Sequence, residues 1–142
     1  MGVFFGTWTL TWAVMYGLLI PGKGALDRWP VLAALNGVLI LAACAAYLQW
    51  NNHGWESNRQ IAIGLGGGMG WMMMLNVWGV IWRGQKRIIQ WTRDNAANGT
   101  PIPDRAKYLA RQVYLCSRTN FVLSFPMLFL MGAASHYPMF GR

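Results

Sequence analysis

Four stretches of this chain carry almost no charge, and each is long enough to cross a bilayer. Val3 to Ile20, Trp29 to Trp50 and Ile61 to Trp82 contain no Asp, Glu, Lys, Arg or His, and Thr119 to Tyr137 contains only His136. A helix needs about 20 apolar residues to cross roughly 30 Å of hydrocarbon. With no water to satisfy backbone N–H and C=O groups there, such a stretch has to be helical. Buried helices of a soluble bundle would show polar stripes at helical spacing, and these four show none. Composition agrees: 55% of the residues are hydrophobic and 11% charged, too few charges to cover a soluble surface. The expected fold is therefore all-α, an integral membrane bundle of four transmembrane helices (3–20, 29–50, 61–82 and 119–137) forming a single domain over residues 1–142. The first segment lacks the basic start and small-residue cleavage site of a secretory signal, so it is expected to stay as a helix. Gly6 stands where a myristoylation signal needs Ser or Thr.

The cations divide the loops unequally. Lys23, Arg28, Arg83, Lys86, Arg87, Arg93, Arg105, Lys107, Arg111 and Arg118 fall on one side of the four crossings, Arg59 and Arg142 on the other. The positive-inside rule makes the first side cytoplasmic, which points both termini outward, to the periplasm of an inner membrane if the host is a Gram-negative bacterium. The net charge of +8 is mostly this asymmetry. It points to anionic lipids as partners, with Lys86, Arg87, Arg93, Arg111 and Arg118 at head-group level. Nucleic acid is not an expected partner, because no aromatic-interleaved groove remains once the apolar spans are in lipid.

Residues 83–118 are too many for a turn. In "RGQKRIIQWTRD", Ile88, Ile89 and Trp91 stand among Lys86, Arg87 and Arg93, a pattern suited to a helix lying at the membrane surface. Gly99, Pro101 and Pro103 then break the chain. Asp104 is placed to cap a second helix, on which Ala106, Leu109, Val113 and Cys116 share a face. The expectation is a cytoplasmic amphipathic helical hairpin between helices 3 and 4.

The run "IGLGGGMGWMMM" holds five glycines between Gly64 and Gly70. A dinucleotide fingerprint needs glycines at i, i+2 and i+5, but Met69 and Trp71 occupy the third position in the two possible registers. Gly64 with Gly68, and Gly66 with Gly70, instead have the small-xxx-small spacing that lets helix backbones approach in lipid. This face is expected to pack on a neighbouring helix, in the same chain or in a partner, with Met72, Met73 and Met74 as adaptable filler.

Polar groups within the spans are few: Asn36, Asn76, Asn120, Ser124 and Ser135. Each calls for an internal partner. Pro126 removes a backbone donor from the last helix and is expected to kink it. The spans contain no carboxylate, which argues against a proton-relay transporter. No CxxCH is present, so this chain carries no covalent c-type haem, and Cys116 on the cytoplasmic side argues against a disulfide with Cys44. No catalytic residue and no metal site is indicated. His53 and His136 fall at the same outer level and are candidate axial ligands of a b-type haem, which could be shared with a partner through one of them.

Two stretches, "LNVWGVIWRGQKRII" and "SRTNFVLSFPMLFLMGAASH", resemble the membrane-embedded N-terminal domain of the bacterial cytochrome c urate oxidase family, membrane-anchored periplasmic urate hydroxylases. The resemblance rests on Asn76, Val77, Trp78, Ile81, Trp82 and Gln85, then on Ser117, Arg118, Thr119, Asn120, Pro126, Met127, Leu128, Ser135 and His136. The chain departs from that pattern at Arg83, where the family has Pro. It is also shorter than the family's membrane domain and lacks the cytochrome c domain that follows it. What the resemblance implies is a membrane scaffold beside a periplasmic cytochrome c. The expected function is that of a small membrane subunit of an electron-transfer complex, packed against other membrane subunits. The alternatives are a urate-oxidase-like component whose cytochrome is a separate chain, and a pigment- or quinone-pocket subunit of a photosynthetic or respiratory complex.

Overall fold

A computed structural model describes residues 2–18, 28–51 and 57–140. The described residues form helices and connections, with no strand among them. In chain order the helices are α1 (Gly2–Leu18), α2 (Trp29–Trp50), α3 (Asn58–Asn76), a π-helical segment (Val77–Ile81), α4 (Trp82–Asn98) and α5 (Arg105–His136). Three are long and apolar enough to cross a membrane: Trp29–Trp50, the continuous Asn58–Asn98 and Arg105–His136. α1 adds 17 residues without a charge.

Local chemistry sets the helix ends. Pro30 sits in the first turn of α2, where its missing N–H costs nothing. At α3, Ser57 and Gln60 form a reciprocal capping box: Gln60 N–H donates to Ser57 Oγ at 3.3 Å, and Ser57 N–H donates to Gln60 Oε1 at 2.9 Å. α4 stops at Gly99, whose φ of 65° is left-handed, and Gly99 N–H closes the turn on Asn95 O at 2.9 Å. Asp104 holds the N-cap position of α5, but its backbone is helical and its side chain makes no capping bond. Here the expected cap is corrected: the start of α5 is set by the backbone turn Ala106 N–H to Pro103 O, 2.9 Å.

α3 is the central helix. α5 lies along it in the most extensive pairing of the molecule, α1 packs on another side, and α2 packs mainly on α1. One core cluster joins Trp8 and Met15 of α1, Tyr47 of α2, Met69 and Met72 of α3, and Leu123 and Leu130 of α5. A second cluster joins Leu32, Val80, Leu115 and Cys116 nearer the hairpin.

The structure corrects the expected boundaries of the third helix and its neighbour. The helix does not end at Trp82 and give way to a separate one. Asn58–Asn98 is one helical rod of 41 residues, about 60 Å long at 1.5 Å per residue. The reason lies at Gly84, which is buried against Val113 and Leu109 of α5. Ile88 and Trp91 continue the Gly84 face at spacings of four and three and are half-buried. Ile89 is the exception and is 49% exposed. On α5, Val113 and Cys116 are buried and Ala106 and Leu109 half-buried, the face expected from the sequence. α5 also runs through Pro126 without interruption.

Candidate functional site

The most developed polar feature is a chain of side-chain hydrogen bonds across three helices. Asn76, at the end of α3, has no exposed surface. Its Oδ1 accepts from the Trp12 indole N–H of α1 at 3.0 Å, and its amide N–H donates to Asn120 Oδ1 of α5 at 2.7 Å. Asn120 in turn donates to the backbone carbonyl of Met73 at 3.1 Å. That carbonyl already accepts from Val77 N–H, the residue that opens the π segment. At the other end of the segment Trp82 N–H bonds to Val77 O, five residues back instead of four. Such single-turn bulges reorient side chains and recur at functional sites. Gly79, inside the bulge, gives room to the ring of Trp12: a Cβ there would sit 3.1 Å from Trp12 Cζ2. Amides and an indole exchange hydrogen bonds but accept no proton at ordinary pH, so this relay fixes the relation of α1, α3 and α5.

The remaining interior polar groups fare differently. Ser124 Oγ donates locally to Phe121 O at 2.7 Å, and Thr11 Oγ1 to Thr7 O at 2.7 Å. Ser135 is exposed. Asn36 Oδ1, Thr7 Oγ1 and Trp8 Nε1 are buried without a hydrogen-bond partner among the described residues. The expectation that every slab amide finds a partner thus holds for Asn76 and Asn120 but not for Asn36.

The glycine run is a three-sided packing surface within the chain. A Cβ at Gly64 would overlap the Tyr47 ring of α2, and one at Gly68 would overlap the Trp8 indole of α1. A Cβ at Gly66 would lie 3.2 Å from Leu130 Cβ and Met127 O of α5. Gly70 departs from the expected spacing, for a Cβ there meets nothing within 4 Å. One short stretch therefore seats two aromatic rings and one backbone crossing, and its i, i+4 pair serves two different helices.

The two histidines give less. His136 is exposed at the end of α5, and His53 lies outside the described residues. Beside His136 the chain is latched to α3: Asn58 Nδ2–H donates to Tyr137 O at 3.0 Å, and Phe140 N–H donates to Asn58 Oδ1 at 2.9 Å. No group of three or more His, Cys, Asp or Glu that could hold a metal ion occurs among the described residues. Of the residues assigned to lipid head groups, Lys86, Arg87, Arg93 and Arg118 are exposed and Arg111 is half-buried. An open apolar groove of about 780 Å³ runs between α1 and α2, walled by Gly6, Thr7, Leu10, Ala42, Ala46 and Trp50 among others. It could take a hydrophobic chain, and no histidine is among the described residues that line it.

The sequence reading missed Trp12 as the third member of the amide relay, and it missed the Ser57–Gln60 box. The box was legible as S-x-x-Q before an apolar run. For Trp12 the only signal was an indole N–H deep in an uncharged stretch, a donor that needs an acceptor.

No protein-family model matches the chain, and no curated protein or solved structure matches it.

Proposed function

We propose that this chain is a small four-crossing subunit of a bacterial electron-transfer membrane complex, with α1 as the fourth crossing. It would hold other membrane subunits or a periplasmic cytochrome c in place. The observation that carries the reading is the relay Trp12–Asn76–Asn120, in which the interior polar groups of three helices are used on one another. This is the economy of a scaffold, whose interior serves its own assembly. The charge asymmetry supports an orientation with the α4–α5 hairpin in the cytosol and residues 137–140 in the periplasm. His136, exposed at that outer end, is the residue through which a b-type haem shared with a partner would be held.

Purification from native membranes in mild detergent tests this directly. The expected result is co-migration with a haem-containing chain and a reduced-minus-oxidised spectrum that His136→Ala weakens. A colourless, stable, monodisperse chain with no haem protein attached would overturn the proposal.

A second reading is favoured by one observation. The two stretches that carry the urate oxidase resemblance meet at the Asn76–Asn120 bond, 2.7 Å, so the matching residues form one structural unit. On that reading the chain is the membrane component of a urate-oxidising enzyme whose cytochrome c is a separate chain. Urate turnover by the chain with added cytochrome c tests it, and no turnover in any such mixture would remove it. The α1–α2 groove is what a quinone- or pigment-binding subunit would offer. Extraction of a chromophore or quinone from the purified chain, lost in Ala42→Leu, would bring that third reading forward.

A further inference from the structure

The face of α4 turned away from α5 repeats every seven residues. Trp82, Ile89 and Ala96 stand seven apart, and the first two are each followed four residues later by a cation, Lys86 and Arg93. At about 100° per residue, these five side chains fall within roughly 80° of one another around the helix. Gly84, which takes α5, is two residues on from Trp82 and so lies on the opposite side. Trp82 is 58% and Ile89 49% exposed, and Lys86, Arg93 and Ala96 are exposed too. The stripe is grooved. One open hollow of about 490 Å³ is walled by Trp82, Lys86, Ile89 and Arg93 among others, and a second of about 260 Å³ by Ile89, Arg93 and Ala96 among others. Neither Lys86 nor Arg93 makes an ion pair or a hydrogen bond among the described residues.

On the reading of the chain as a membrane subunit, this stripe leaves the bilayer. Asn58–Asn98 is one continuous helix, and Trp82 stands about 36 Å along it from Asn58, at the level where indoles meet head groups. Ile89 and Arg93 are about 10 and 16 Å further on. A tilt of about 40°, the extreme for transmembrane helices, still carries them about 8 and 13 Å past Trp82. The head-group layer is about 5–8 Å deep. The outer turns of the stripe therefore hold an exposed isoleucine in water, beyond the lipid phosphates. Charge selects what covers it. The side that holds the hairpin has ten cations against three carboxylates, Asp27, Asp94 and Asp104. Asp27 sits between Lys23 and Arg28 in the sequence, Asp94 is half-buried next to Arg93, and Asp104 stands at the start of α5. A second copy of the chain would set Lys86 and Arg93 against cations like themselves, so the partner is a different chain with an acidic face.

We propose that the stripe formed by Trp82, Lys86, Ile89 and Arg93 docks an acidic amphipathic helix from the cytoplasmic part of a neighbouring membrane subunit. The inference rests on the subunit reading above and names a surface through which it acts. An apolar residue every seven positions, with a cation four later, is one side of a coiled-coil seam, in which the flanking charges choose the partner. The other side needs apolar residues at the same period with Asp or Glu flanking them. Helices with basic flanks are refused by like-charge repulsion. A stripe of two heptads is marginal as a helical pairing on its own. The partner is therefore a subunit that the membrane already holds close, where a high effective concentration replaces added contact.

The experiment places the photo-crosslinker p-benzoylphenylalanine at the position of Ile89 in the full chain, in its native membranes, and identifies the captured segment by mass spectrometry. The expected adduct is with a different chain, at a segment carrying Asp or Glu beside an apolar seven-residue repeat. Lys86→Glu combined with Arg93→Glu should lower its yield about tenfold or more, because like charges then face one another. Arg93→Gln alone should lower it about threefold, the scale of one exposed ion pair, and carries the test if thermal unfolding shows that the double variant does not fold. Lys86→Arg should leave the yield unchanged, as should Lys107→Glu, a charge reversal at an exposed position of α5. No adduct, an adduct with lipid or a second copy alone, a captured segment without acidic residues, or an equal loss in Lys107→Glu would overturn the docking stripe. The electron-transfer reading fails separately, when no haem protein co-migrates in the purification above, whatever position 89 captures.

Discussion

The rod Asn58–Asn98 has two halves with opposite ways of holding their neighbours. In the first half, Gly64, Gly66 and Gly68 remove side chains so that Tyr47, α5 and Trp8 can come to the backbone. In the second half Gly84 does this once, for Val113, and Ile88 and Trp91 on the same helix face are half-buried, with Arg83, Lys86, Arg87 and Arg93 exposed. The difference follows from the solvent each half is suited to. Lipid gives no hydrophobic drive, so association there depends on close van der Waals fit and interhelical hydrogen bonds. In water, burying Ile and Trp on one face is drive enough, and charges can cover the other. A single helix therefore changes its packing rules along its length, and the π segment with the amide relay stands at the change.

The sharpest way to break this contrast is at Gly68. A methyl group there must displace the Trp8 indole, which is fully buried. Gly68→Ala is expected to destabilise by about 1–3 kcal/mol, the usual cost of overpacking, read as a lower midpoint in thermal unfolding in detergent. Gly70→Ala, two residues on in open space, should be neutral or gain up to about 1 kcal/mol from helix propensity. If the two variants unfold alike, the glycine half is not packed as described.

The relay comes next in size. Asn76→Leu removes the acceptor of Trp12 and the donor to Asn120 together. Leaving buried partners unsatisfied costs about 1–3 kcal/mol. The double variant Asn76→Leu with Asn120→Leu should be less destabilised than the sum of the singles, because it removes both members of one bond. Strict additivity in the same unfolding assay would show that the two amides do not interact.

How much of this could be read beforehand divides along the same line. Three of the four expected spans were legible as helices long and apolar enough to cross a membrane, because hydrocarbon demands long uncharged stretches, and Asn76 and Asn120 were legible as groups needing partners. Which partners they take was not, since hydrogen bonds between Trp12, Asn76 and Asn120 depend on helix placement that spacing alone does not give. Gly64 and Gly66 announced close packing, but the sequence did not say that aromatic rings would fill two of the three gaps, or that Gly70 would be left out. The continuity of the helix past Trp82 was hidden for a physical reason. A basic amphipathic helix has the same pattern whether its apolar face meets lipid or another helix, and only Gly84, a residue without a side chain, records the approach of α5.

The smallest effect is expected at the tip, where the two halves of the hairpin reverse direction. Gly99 adopts a left-handed conformation with nothing within 4 Å of where a Cβ would stand, so its requirement is conformational and not one of space. Asn95 supports the turn, donating from Nδ2 to Thr100 O at 2.8 Å. Gly99→Ala should therefore cost about 1 kcal/mol, the strain of placing an L side chain at positive φ. The cost should fall on the hairpin and spare the glycine half, because the contacts of Gly64 to Gly68 lie at the other end of the rod. Limited proteolysis should find faster cleavage near residues 99–104, while the unfolding midpoint of the whole chain moves less than in Gly68→Ala. A midpoint shift as large as that of Gly68→Ala would mean that the hairpin and the glycine half fold as one cooperative unit, and that the change in packing rules along the rod does not divide its stability.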